Sequence, residues 1–121
     1  MYKKLAVKLS LLAILICVAV RRDALADDAN VGDKIPGTYS VEGSNNNGTA
    51  YDGFAVISKD GDKFVVKWTV GTAKYRGIGK LVGKTLTVDW GQEYAVIYQV
   101  LPDGRLDGKW DNGKATETMT P

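Results

Sequence analysis

Histidine is absent from the whole chain, and cysteine occurs once, as Cys17. Without an imidazole, serine–histidine and cysteine–histidine nucleophiles are excluded, and so are zinc sites built on the usual nitrogen and sulfur ligands. A single cysteine closes no intrachain disulfide, so the fold must be held by packing alone. The longest apolar run, Leu9–Val20, has 12 residues, short of the about 20 that a membrane-spanning helix needs. No stretch shows helical spacing, and no glycine-rich phosphate loop leads into a helix. Asp89 and Glu93 are the nearest approach to a catalytic carboxylate pair. Alternation turns Asp89 outward and Glu93 flanks a turn, so nothing isolates either from water. No enzyme, metal site or cofactor is expected.

What is present begins with an export pattern. Lys3, Lys4 and Lys8 make a basic start, the apolar run follows, and Ala24-Leu25-Ala26 supplies a small-x-small site. This order predicts a cleaved signal peptide over 1–26. Arg21 and Arg22 are unusual before such a site, and bulky Ile16 before Cys17 argues against a lipoprotein signal. Cleavage leaves 11 basic and 13 acidic residues, a net of −2, where the precursor carries +2. No basic stripe remains, so neither nucleic acid nor an anionic membrane surface is an expected partner. A periplasmic or extracellular destination follows.

Residues 27–36 are polar, lack a period and end on Pro36, and read as a flexible leader. From Gly37 to Pro121 the pattern has period two, broken at short intervals by turn residues. Asp60-Gly61 and Asn112-Gly113 read as type I′ hairpin pairs. Pro102-Asp103-Gly104 reads as a type I turn with a left-handed glycine. Gly71-Thr72, Gly83-Lys84, Gly91-Gln92 and the polar stretch Ser44–Gly48 mark four further reversals. Seven connections imply eight strands, near 37–43, 49–58, 62–70, 74–82, 84–90, 93–101, 104–110 and 114–119. Closing the first strand onto the last removes both exposed edges. The expected fold is therefore a single all-β, antiparallel up-and-down barrel, with a β-sandwich as the alternative.

Alternation assigns the faces. The inward face collects Tyr39, Tyr51, Phe64, Trp68, Tyr75, Trp90, Tyr94, Tyr98 and Trp110, leaving Phe54 as the one aromatic outside. Glycines two residues from a tyrosine, Gly53 and Gly77, make room for rings from facing strands. Trp68, Trp90 and Trp110 end strands that run the same way, so all three are expected at one rim, the candidate ligand site. Glu117 shares the face of Ala115 and Met119. It either points inward, with a partner such as a tyrosine hydroxyl, or is solvated on a frayed strand. On the outer face Phe54, Val56, Val65 and Ile78 lie on neighbouring strands and form a candidate apolar contact patch.

The order Gly37-Thr-Tyr-Ser-Val-Glu-Gly43, Tyr51-x-Gly53, Val66-x-Trp68, Tyr75-x-Gly77-x-Gly79, Leu86-x-Val88, Tyr98-x-Val100, Asp103-Gly-x-Leu-x-Gly-x-Trp110 and Glu117-x-Met-Thr-Pro121 resembles small exported bacterial proteins often labelled fibronectin-binding. Gly37-Thr-Tyr39 is also remotely similar to the opening of avidin- and lipocalin-type meander barrels, which usually carry Gly-x-Trp there. The first resemblance implies a non-catalytic, adhesin-like module that meets a protein or envelope partner. Two other functions are open on the residues: a small-ligand binder using the tryptophan rim, and an inhibitor of a secreted hydrolase presenting the Ser44–Gly48 loop.

Overall fold

The computed structural model describes residues 30–121. The expected signal over 1–26, with Cys17, and the first residues of the expected leader lie outside the described residues. Eight strands follow in order: β1 Gly37–Ser44, β2 Ala50–Asp60, β3 Lys63–Val70, β4 Ala73–Val82, β5 Thr85–Asp89, β6 Val96–Val100, β7 Leu106–Trp110 and β8 Ala115–Thr120. Each pairs antiparallel with its sequence neighbour, and β1 pairs with β8, closing an up-and-down barrel. The sandwich alternative is excluded. Among the described residues no helix is long and apolar enough to cross a membrane.

The strands form where apolar and polar residues alternate, and the apolar set is buried. Val41, Ile57, Val66, Leu86, Val88, Tyr98, Leu106 and Met119 make the core. Closure leaves no strand edge exposed, which gives every strand two hydrogen-bonded neighbours without a disulfide.

Turn chemistry sets the registers, and differs in detail from the sequence expectation. Three connections are two-residue turns opened by glycine: Gly61-Asp62, Gly71-Thr72 and Gly83-Lys84, between the pairs Asp60↔Lys63, Val70↔Ala73 and Val82↔Thr85. The glycines have φ of 62°, 60° and 61°, and the second residues are not left-handed. That is the type II′ pattern, with glycine first, so Asp60-Gly61 is not a type I′ pair. The last hairpin differs too. Asp111, Asn112 and Gly113 are all left-handed, at φ 49°, 57° and 82°. Two overlapping turns, Gly113 N–H to the Trp110 carbonyl and Lys114 N–H to the Asp111 carbonyl, make a four-residue loop. Asn112-Gly113 is therefore not a two-residue turn. Pro102-Asp103-Gly104 turns as expected, with Gly104 at φ 90° and its N–H on the Leu101 carbonyl.

One end of the barrel is plugged. A 3-10 turn at Gly32–Lys34 brings Ile35 into the core, where it is 1% exposed. Val31 packs against the same cluster. The Tyr39 hydroxyl donates to the buried Ile35 carbonyl at 2.6 Å; burial raises that phenol's pKa and keeps its proton in place. Within the segment expected as a leader, Ile35 thus belongs to the barrel core with Val31 packed against it, while Asp33, Lys34 and Pro36 stand exposed. A lone isoleucine before a proline gives no period, and its burial is decided by the open barrel end it fills.

Candidate functional site

At the opposite end lie the connections 45–49, 71–72, 90–95 and 111–114, and there the barrel is open. A cavity of about 300 Å³ enters it, at the lower end of ligand-site volumes. Its walls are Tyr51, Trp68, Tyr75, Trp90 and Trp110 with Val70 and Val96; Asn45 stands at the lip and Glu117 forms the floor. Three ring pairs make a continuous edge-to-face belt: Tyr75–Trp90 at 6.0 Å, Trp90–Trp110 at 5.9 Å and Trp110–Tyr51 at 6.2 Å. Such geometry sets the positive edge of one ring against the negative face of the next.

The floor is built by one row of residues across five strands. Glu117 on β8 pairs with Gly43 on β1 and with Gly108 on β7. Gly43 in turn pairs with Tyr51 on β2, and Gly108 with Tyr98 on β6. The row reads Tyr51–Gly43–Glu117–Gly108–Tyr98. With no side chain at either glycine, both tyrosines lean across to the carboxyl. A β-carbon on Gly43 would collide with the Tyr51 ring, and one on Gly108 would stand 2.6 Å from Tyr98 Cδ1. The rings therefore lie over glycines of the strands beside them, rather than over Gly53 from facing strands. At Gly53 a β-carbon would strike the Thr69 carbonyl instead.

Hydrogen-bond direction in this cluster is fixed by chemistry. An indole N–H only donates. Trp110 Nε1 donates to the Tyr51 hydroxyl at 3.1 Å, so Tyr51 turns its own hydrogen to Glu117 Oε1 at 2.9 Å. Trp68 Nε1 lies 3.2 Å from the Tyr98 hydroxyl and 3.1 Å from Glu117 Oε2, and Tyr98 donates to that same Oε2. Three donors, Tyr51, Tyr98 and Trp68, converge on one carboxyl group. Glu117 is 6% exposed. Burial raises its pKa, and the bonds from Tyr98, Tyr51 and Trp68 oppose the rise without cancelling it. Burial, and then the carboxylate's charge, push both phenols above their ordinary range, so both remain donors. Of the two sequence expectations for Glu117, the inward one with tyrosine partners holds.

The three expected rim tryptophans do meet in this cavity, Trp68 deepest and buried, Trp90 and Trp110 half-buried. Trp90 Nε1 is held by the Tyr94 carbonyl at 3.0 Å. Tyr94 itself is not inward: β6 starts at Val96, and Tyr94 sits in the 90–95 connection, 41% exposed. Asp89 serves that connection by accepting the Gly91 N–H at 3.0 Å. The Asn45–Thr49 loop is internally bonded, Asn45 to Thr49 and Thr49 to Asn47, and Asn46 ties it to Asp111 of the neighbouring 111–114 connection at 2.7 Å.

No family model, curated protein or solved structure matches this chain. What the cavity does is inferred from its own chemistry.

The outer patch is smaller than expected. Phe54 is 51% exposed and Val56 also stands in solvent, but Val65 is only 8% exposed and Ile78 is half-buried. Val65 lies mid-strand opposite Ile78 and Ser58, on a strand flanked by the two longest, β2 and β4. Outward neighbours on both sides cover a short branched side chain. The exposed part reduces to Phe54 and Val56.

Proposed function

We propose that this protein is an exported, non-catalytic binding protein that takes one small molecule in the aromatic cavity at the open end of its barrel. The observation that carries this reading is the cavity itself: aromatic walls, a single buried polar floor, and the opposite end plugged by Ile35. A lone carboxyl has no second acid or base beside it to complete hydrolytic chemistry, so the floor is read as recognition.

All three tryptophans line the cavity, so occupancy reports directly in their emission. Titration with a panel of small amines, alcohols and carboxylic acids is expected to change that emission and raise Tm for at least one class. Val70→Trp, which fills the cavity from its wall, is expected to remove both responses. Unchanged emission across the panel overturns this reading.

A protein or envelope partner, as an adhesin-like role would require, is the second reading. It is favoured by the exposure of Phe54 beside Val56 on β2. Under that reading Phe54→Lys abolishes partner capture and leaves small-molecule titrations untouched. The hydrolase-inhibitor reading draws least support, because the 45–49 loop is bonded to itself and to Asp111 at the mouth.

A further inference from the structure

We infer that the ligand of this cavity is a compact organic cation, an ammonium or quaternary ammonium group seated among the rings with Glu117 as its counter-charge. The inference rests on the small-molecule reading above and narrows it to one chemical class.

Glu117 is a buried carboxyl without a basic partner. Among the described residues the one ion pair is Arg105–Asp103, at the surface, and no lysine or arginine lines the cavity. Trp68, Tyr51 and Tyr98 give the carboxylate three hydrogen bonds but no positive charge. A buried charge satisfied only by neutral donors keeps most of its desolvation cost, and a cation brought into the same cavity offsets it. An ionised carboxylate has about four acceptor sites. Three are occupied, and Oε1 accepts from Tyr51 alone within the side-chain network, which leaves it an acceptor site for a ligand N–H.

The walls select in the same direction. Tyr51, Tyr75, Trp90 and Trp110 present π systems, and tryptophan is the strongest of the aromatic side chains for cations. A neutral apolar guest gains nothing from the carboxylate, and an anion meets both the carboxylate and the negative ring faces. Neither gives a reason for the donor network to converge on an acid.

Three probes of one shape separate the possibilities: cyclohexylmethylammonium, cyclohexylmethanol and cyclohexanecarboxylate, none absorbing where tryptophan is excited. Calorimetry and tryptophan emission at neutral pH are expected to show the ammonium binding at least about tenfold tighter than the alcohol, with no binding of the carboxylate. Trp90→Leu, which keeps an apolar wall but removes the ring face, is expected to weaken the ammonium by a larger factor than the alcohol, narrowing the preference. Glu117→Gln, checked for folding by near-ultraviolet dichroism, is expected to erase the preference. Equal affinity for ammonium and alcohol overturns the cation inference while the small-molecule reading stands. Binding of none of the three, with emission unmoved, overturns both.

Discussion

Glu117 is the residue on which the site turns. Removing one of its donors leaves an acceptor short in a buried place, which costs about 1–3 kcal/mol. Tyr98→Phe is expected to lower stability by that amount in urea melts, and more than Tyr51→Phe, because Tyr98 is fully buried and Tyr51 reaches the cavity. The titration behaviour gives a second prediction. Tyr51 from β2 and Tyr98 from β6 are the titratable groups facing the carboxyl, while β1 and β7 offer glycine and β3 offers Trp68. Burial raises the native pKa above the unfolded value of about 4.3. The native state therefore holds this proton where the unfolded chain has released it. The stabilising contribution is full below the unfolded value and is lost as pH rises through the native one. Tm of the wild type relative to Glu117→Gln is expected to rise as pH falls from 7.5 to 5; a flat or opposite difference contradicts the assignment. Alternation sets Glu117 on the face of Ala115 and Met119 and leaves its inward and solvated placements both open. A tyrosine hydroxyl is readable as a candidate partner, but which tyrosines meet the carboxyl is not, because the row depends on β1 closing onto β8, a contact between residues 43 and 117 that no local pattern encodes.

At the scale of elements, glycine placement decides which rings reach the floor. Gly108→Ala would put a methyl group 2.6 Å from Tyr98 Cδ1 and close to the Glu117 carbonyl, and overpacking of this kind costs about 1–3 kcal/mol. The expected signature is a lowered urea midpoint together with a changed tryptophan emission, since Trp68 hydrogen-bonds beside Tyr98. The turns show how much local sequence specifies. Seven reversals and eight strands are readable from glycine, asparagine and proline. The registers are less so: an Asp-Gly pair reads as type I′, yet Gly61 takes the first turn position, and the extra left-handed pair Asp111-Asn112 carries no sequence mark beyond a tolerance for that conformation. Gly61→Ala, at φ 62°, is expected to cost about 1 kcal/mol with no effect on ligand titrations, because that turn lies at the plugged end.

At the largest scale, the described residues form a barrel with two different ends. Three tryptophans on strands of one direction, readable from spacing, mark the open one. The plug at the other, Ile35, carries no periodic signal, and its polar surroundings read as a leader. Ile35→Ala removes a buried side chain at a site closed around it, and is expected to cost about 2–5 kcal/mol by calorimetry. Cavity and plug together make a pocket closed at one end and floored by a buried acid. The chain holds three tryptophans, so its amide–indole NMR spectrum carries three indole N–H peaks, each from a residue of the cavity wall. On addition of cyclohexylmethylammonium the peaks of Trp68, Trp90 and Trp110 are expected to shift together and saturate, and to stay still with cyclohexanecarboxylate. Indole peaks that remain fixed, with shifts confined to amides on the outer face of β2, would place binding at Phe54 and Val56 and contradict a ligand site in the barrel mouth.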